Sequence, residues 1–254
     1  MILAIDVGNT NIVLGCVDNG KVLNVIRIHT DTRETEAEYA IKLKEVLYAY
    51  EIDTALFNGA ILSSVVPAAT GPLCRAVKKI TGLDMMLVGP GMKTGMNIGV
   101  DDPGTVAGDL ITGSVAALHD YGAPVIVLDL GTATTVVVID KNKSFKGGAI
   151  VPGIKLSYSA LASGTSLLPD ISITPPKRCI STNTVDCMRS GAVYGTAALI
   201  DGLIDRMEEE LGYSCRIVAT GGLASSVIPF CKHEIVCDDD LLLKGLWYLY
   251  EKNR

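Results

Sequence analysis

Ile2-Leu3-Ala4-Ile5-Asp6-Val7-Gly8-Asn9-Thr10 and Ile126-Val127-Leu128-Asp129-Leu130-Gly131-Thr132-Ala133-Thr134 are one pattern written twice. Each copy is an apolar strand that ends in Asp-x-Gly. Small hydroxyl or amide residues follow, and then a second, β-branched strand. The second strands close at matching turns, Asp18-Asn19-Gly20-Lys21 and Asp140-Lys141-Asn142-Lys143. A hairpin turn explains one copy, because Asp, Asn and Gly form turns readily. Agreement of the Asp, the Gly, the hydroxyl residue and the downstream turn argues for duplication of a whole domain. The expected architecture is two similar α/β halves with a cleft between them, divided into residues 1–119 and 120–254.

Reading outward from the first copy, Asn11–Val17 and Lys21–His29 are strands joined by a strong Asp-Asn-Gly turn. Apolar residues at helical spacing predict a helix over Thr35–Tyr50. Ala60–Val66 reads as a buried strand ended by Pro67, followed by a helix over Leu73–Thr81 and a short strand at Met85–Val88. Lys93–Pro103 reads as a loop, and Thr105–His119 as a helix. Around the second copy, strands are expected at Pro124–Leu128 and Ser144–Ile150, and a helix at Lys155–Leu161. A Pro-rich loop follows around Pro169–Pro176. Thr184–Leu211 is a long helical stretch with an interruption near Gly191 or Gly195. Cys215–Ala219 and Glu234–Val236 read as strands and Leu241–Tyr250 as a closing helix.

Composition narrows the function. A formal net charge of −6 gives no broad electrostatic footprint for nucleic acid. No run approaches the roughly 20 apolar residues needed to cross a bilayer, and Ile2–Ile5 is too short for a signal-peptide core. The seven cysteines are scattered without a C-x-x-C pair, which argues against zinc ribbons and points to free thiols in a reducing cytoplasm. An anionic substrate therefore needs backbone N–H groups, a bound metal or a local cation.

The Asp6–Asn11 loop supplies such groups. Gly8 lets the backbone approach a phosphate closely, and the turn N–H groups with Thr10, Asn9 and Asn11 can donate to its oxygens. Asp6 would repel a bare phosphate, so it implies Mg²⁺ between the two, directly or through water. Neither G-x-x-x-x-G-K-[ST] nor G-x-G-x-x-G is present. Thr220-Gly221-Gly222 follows a strand and can admit a flat adenine or ribose. A helix-start turn explains it equally well. Gly147–Gly153 reads as a compact connection or a hinge. Asp109 can orient an acceptor hydroxyl and take its proton, or simply favour the first turn of a helix. His29, His119 and His233 are isolated. Asp238-Asp239-Asp240 is expected to cap the last helix.

Together these residues resemble the type III pantothenate kinases, nearly end to end. The resemblance is carried by Asp6–Asn11, Thr30-Asp31-Thr32-Arg33-Glu34-Thr35 with Tyr39, and Ser63-Ser64-Val65-Val66-Pro67. Further on it is carried by Asp129–Thr135, Gly147–Gly153, Ser190-Gly191 with Tyr194-Gly195, Thr220-Gly221-Gly222 and the closing segment Leu241–Asn253. It implies duplicated ribonuclease H-like domains of the acetate kinase/Hsc70/actin type. The implied reaction is ATP-dependent phosphorylation of pantothenate, the first step toward coenzyme A. It implies ATP held by Asp6, Val7, Gly8, Asn9, Thr10, Asn11, Ile12 and Val13, by Gly131, Thr132 and Thr134, and by Gly221 and Gly222. Mg²⁺ would be reached from Asp6 through water, and a monovalent cation, K⁺ or NH4⁺, would lie at Asp129. Asp109 matches the proton-accepting Asp, in an acceptor pocket of Val100, Ala107, Gly108 and Leu110. Thr184 matches a Thr that contacts pantothenate across a homodimer interface. Leu110 stands where the family usually carries Arg, Val100 where it carries Tyr, and Ser181-Thr182 where it carries Gly-Lys. These departures leave open a kinase for another small hydroxyl acceptor, or a binding and regulatory protein.

Overall fold

The computed structural model describes every residue, Met1–Arg254. In chain order the strands and helices are β1 (Ile2–Val7), β2 (Asn11–Asp18), β3 (Lys21–His29), α1 (Glu36–Ala49), β4 (Gly59–Ser64), α2 (Pro67–Thr81), β5 (Met85–Leu87), β6 (Asn97–Ile98) and α3 (Gly108–Tyr121). They continue with β7 (Val125–Leu130), β8 (Ala133–Ile139), β9 (Ser144–Pro152), α4 (Ile154–Ser163), α5 (Thr184–Ser190), α6 (Thr196–Leu211), β10 (Arg216–Thr220), α7 (Ala224–Val227), β11 (Val236–Cys237) and α8 (Leu241–Asn253). The chain forms two compact units. One comprises Met1–Met96, Asp101–Ala116 and Asp240–Arg254, and the other Asn97–Val100 and Ala117–Asp239.

The first unit has a five-stranded sheet in the order β3-β2-β1-β4-β5. β1 runs antiparallel to β2 and parallel to β4. Alternation along β1 sends Leu3, Ile5 and Val7 to a core shared with Leu43 and Leu47 of α1 and Leu73 and Val77 of α2. The opposite face carries Ile2, Ala4 and Asp6. The start of α1 is fixed by a capping box: Glu38 N–H donates to the Thr35 hydroxyl, and Thr35 N–H donates to the Glu38 carboxylate.

The second unit repeats this plan. Its sheet runs β11-β10-β7-β8-β9-β6, so β9-β8-β7-β10-β11 reproduces the first sheet's order, with β6 added at the edge. β7 is antiparallel to β8 and parallel to β10. Ile126, Leu128 and Leu130 pack with Val136 and Val138 against Ile200 and Ile204 of α6. The duplication inferred from two short motifs is thus a duplication of topology.

Four expectations need correction. The closing helix does not belong with the C-terminal half. Leu241, Leu243, Leu246 and Leu249 of α8 are buried, each contributing about 1.5–3 kcal/mol on burial, and the helix packs on β1, β2 and β4 in the first unit. It approaches so closely that a Cβ at Gly245 would lie 2.0 Å from the Thr112 carbonyl oxygen. Second, Pro67 does not only end a strand. It occupies the first turn of α2, where its missing N–H costs nothing, so that helix begins six residues before Leu73. Third, Lys93–Pro103 is not all loop, because Asn97–Ile98 pairs in parallel with β9. Fourth, the acidic run caps the last helix through Asp240 alone, the N-cap residue of α8, whose backbone carbonyl accepts from Lys244 N–H but whose side chain makes no capping hydrogen bond, while Asp238 is buried and accepts a hydrogen bond from Tyr121 Oη at 2.8 Å.

The helical stretch from Thr184 is interrupted where expected. Gly191–Gly195 is a π-helical turn between α5 and α6, a local widening common at functional segments.

Candidate active site

The Asp6 loop is a tight connection between β1 and β2. Gly8 N–H donates to Asn11 O at 3.0 Å, closing the turn. Asn9, Thr10 and Asn11 are exposed at its tip, while Asp6 is only 9% exposed at the strand end. Val7 and Ile12 are buried in the core, so any contact they make to a ligand comes from their backbone. Asp6 pairs across the β1–β4 register with Ser63, a fully buried residue on the same face of the sheet.

Ser63 links this loop to Asp109. A Cβ at Gly108 would lie 3.0 Å from Ser63 Oγ, so Gly108 lets the first turn of α3 settle onto the end of β4. Asp109 follows immediately and is half-buried. Its Oδ1 accepts from Leu110 N–H at 2.8 Å. Burial pushes the Asp109 carboxyl above its usual value, and only backbone hydrogen bonds pull it back. No cation offsets that burial, and Leu110 beside it is apolar. A carboxylate so placed is a better proton acceptor than an exposed one.

The second loop gathers more of the predicted residues. Asp129 pairs in register with Thr220, as Asp6 does with Ser63. Gly221 has φ +98, and a Cβ there would lie 2.5 Å from Asp129 Oδ1 and 2.6 Å from Leu130 N. Glycine is therefore required both by conformation and by space. Asp129, Gly131, Thr132 and Gly221 form one cluster, with Gly131 and Thr132 exposed at the loop tip. Around Gly222 there is open space. Thr134 is 1% exposed and shares its face of β8 with the core residues Val136 and Val138.

The acceptor residues are placed unevenly. Ala107, Gly108, Asp109 and Leu110 sit together at the start of α3. Val100 belongs to the second unit and packs near Gly147. Thr184 is exposed at the first turn of α5, after the N-cap Asn183, whose side chain accepts from Asp186 N–H. No group of three or more His, Cys, Asp or Glu side chains is arranged to hold a metal ion. A single carboxylate at a strand end suits Mg²⁺ that arrives on nucleotide phosphates, since that ion keeps most of its ligands as water and phosphate oxygen.

Two residues had no functional reading in the sequence. Ser63 lay inside an apolar run, and only the strand register shows that it stands beside Asp6. Thr30 lay in a motif of unassigned role, and its contacts are described below.

A family model described as type III pantothenate kinase matches residues 2–206. The chain belongs to the type III pantothenate kinase family. That family's reaction is the ATP-dependent phosphorylation of pantothenate to 4'-phosphopantothenate in coenzyme A biosynthesis, and the chain is a kinase of this type. Solved structures support the fold. A protein of Campylobacter jejuni assigned to the Baf family of transcriptional activators is 17% identical, with 98% of each chain covered and a TM-score of 0.57. A ROK family glucokinase from Streptomyces griseus is 13% identical, also with 98% of each chain covered and a TM-score of 0.56. An inorganic polyphosphate/ATP-glucomannokinase from Arthrobacter sp. strain KM is 15% identical, with 99% of each chain covered and a TM-score of 0.51. Family membership also supports ATP and Mg²⁺ as requirements. No helix is long and apolar enough to cross a membrane.

Proposed function

We propose that this chain transfers the γ-phosphoryl group of ATP to the pantothenate hydroxyl with Asp109 as the proton acceptor. The observation that carries this reading is the Ser63–Gly108 contact, which brings the start of α3 to the strand end that bears Asp6. The proposed phosphate-binding loop and a half-buried carboxylate with raised proton affinity thus share one neighbourhood within one unit.

In this reading Asp109 orients the acceptor hydroxyl and receives its proton as the oxygen attacks the γ-phosphorus. The Asp6–Asn11 loop holds phosphate through backbone N–H groups and hydroxyls, stabilising charge as it shifts to the leaving oxygen, and the Gly131–Thr132 loop offers the same kind of donors in the second unit. Asp6 would hold Mg²⁺ through water and Asp129 a monovalent cation. Mg²⁺ supplies neutralisation of phosphate charge when bound. Gly221 and Gly222 leave room for the adenine end of the nucleotide.

A homodimer is part of the proposal. Ile150, Leu156, Leu167 and Ile180 in the second unit are each more than half exposed, apolar side chains that association could cover. Thr184 of one copy would then meet pantothenate held by the other. All seven cysteines are free thiols, which suits the cytoplasm.

The test is ADP release from purified protein with ATP, Mg²⁺ and K⁺, with and without pantothenate. Pantothenate-stimulated release is expected. Release that pantothenate does not stimulate would overturn the assignment of the acceptor.

A further inference from the structure

The first phosphate loop is gripped from behind by the end of β3. Thr30 N–H donates to Thr10 O at 3.1 Å, and Thr30 Oγ1 donates to Gly8 O at 2.7 Å. His29 Nδ1 lies 3.0 Å from the same Thr10 oxygen. One residue thus ties down two carbonyls of a single turn.

Thr30 is itself held firmly. Tyr39, fully buried on α1, donates from Oη to Asp31 O at 2.8 Å. The Asp31 carboxylate accepts from Arg33 Nε at 3.0 Å and from Arg33 Nη2 at 2.9 Å. The Arg33 guanidinium accordingly holds the Asp31 carboxyl down to about 2. The segment after β3 is a braced strut between α1 and the loop.

The second unit has a counterpart. Asp6 pairs with Val13, and Asp129 with Thr135, so the first loop is one residue longer. With that allowance Gly8 matches Gly131, Thr10 matches Thr132, and Thr30 matches Gly153. The matching hydrogen bonds are present: Gly131 N–H to Ala133 O and Gly153 N–H to Thr132 O, each at 3.0 Å. The second anchor differs. Where the Thr30 hydroxyl reaches Gly8 O, Gly153 brings bare backbone against the loop. A Cβ there would lie 2.4 Å from Gly131 O and 2.3 Å from Thr132 O.

We propose that Thr30 is a positioning residue for nucleotide binding, turning the Gly8 and Thr10 carbonyls away from the ligand so that the loop presents donors to the phosphates. A carbonyl oxygen facing a phosphate would repel it, whereas an ordered set of N–H groups attracts it. Fixing the carbonyls beforehand means that no reorganisation is needed when ATP arrives. The inference rests on reading the Asp6–Asn11 loop as a phosphate site.

Thr30→Val keeps the side-chain shape and removes the hydroxyl, while Thr30→Ser keeps the hydroxyl. Mg-ATP affinity is measured by calorimetry, KM for ATP and for pantothenate by ADP release, and folding by thermal unfolding. Thr30→Val is expected to weaken Mg-ATP binding about 3- to 10-fold, the effect of one net hydrogen bond. KM for ATP should rise while KM for pantothenate stays constant, and Thr30→Ser should restore wild-type values. Wild-type ATP affinity in Thr30→Val overturns the assignment. So does a change confined to the unfolding temperature, or a failure of Thr30→Ser to rescue. A wild-type chain that binds no Mg-ATP overturns the phosphate-site reading, and this inference with it.

Discussion

Asp109→Asn separates the chemistry of this carboxyl from its structural part. The substitution keeps size and shape, and an Asn Oδ1 can still accept the 2.8 Å hydrogen bond from Leu110 N–H. What it removes is a proton acceptor and a half-buried charge. A positioned general base contributes about 10²–10⁴-fold, so kcat should fall by that factor, equivalent to about 3–5 kcal/mol of barrier. Mg-ATP affinity should hardly change, because Asp109 lies outside the two loops proposed to hold phosphate. Stability should move the other way. Burial raises the Asp109 carboxyl in the folded chain, so between the unfolded and folded pKa values the native state binds more protons than the unfolded chain. Stability then falls as pH rises through that window, and the full penalty of the buried charge is present at neutral pH. Asn carries no such penalty. Asp109→Asn is therefore expected to be at least as stable as wild type near neutral pH, with the advantage vanishing below the pKa of an unfolded aspartate. The assays are ADP release with saturating pantothenate, calorimetric ATP binding, and urea unfolding at neutral and acidic pH. Turnover within about threefold of wild type, well under the range for a general base, would refute the proton-acceptor role. Simultaneous loss of stability and of ATP binding would show that Asp109 acts through structure.

Leu110→Arg places a cation beside Asp109, which favours the charged carboxylate. The acid limb of the pH profile of kcat/KM should shift to lower pH, and KM for pantothenate should fall as its carboxylate gains a partner. Gly153→Ala should destabilise the chain by about 1–3 kcal/mol, because the new methyl meets backbone oxygens at 2.3 and 2.4 Å that cannot rotate away. The shift in urea midpoint measures it, and an unshifted midpoint would mean that the loop yields freely. A chain ending at Asp239 lacks α8. Hydrogen exchange should show lost protection in β1, β2 and β4, with β7 and β10 still protected, whereas a division at residue 119 predicts the reverse.

Much of the architecture was readable because strands and turns are local. Lys21–His29 matches β3 residue for residue, since the Asp-Asn-Gly turn fixes its start and β-branched residues carry it forward. The duplication was legible for the same reason, as each copy puts its signal in a dozen consecutive residues. What escaped was non-local. The apolar pattern of α8 shows that the helix buries one face but not which sheet receives it. Only the close fits of Leu243 at Gly15 and of Tyr250 at Gly59 reveal the partner. Pro67 misled because a proline after a strand reads equally as a stop and as a helix start.

The site was legible to the extent that chemistry sits in the motif itself. Asp6, Gly8, Asp129, Gly131 and Gly221 could be named because an Asp-x-Gly strand end, or a glycine forced to positive φ, leaves a local mark. Thr134 was named from its place in the motif, and the motif alone does not show that alternation along β8 puts its side chain on the same face as Val136 and Val138. Ser63 and Thr30 were silent for a different reason. Each stands beside a loop that lies far away in the chain, through a register that sequence spacing does not reveal. The duplicated fold makes that register visible by offering two solutions to one problem. At the end of the third strand of each sheet, the chain holds the carbonyls of an Asp-x-Gly loop. One unit does it with a hydroxyl at Thr30 and the other with a missing side chain at Gly153. No residue identity is shared between the two, so comparing the repeats letter by letter finds nothing there. The equivalence exists only in the hydrogen bonds to Thr10 O and Thr132 O.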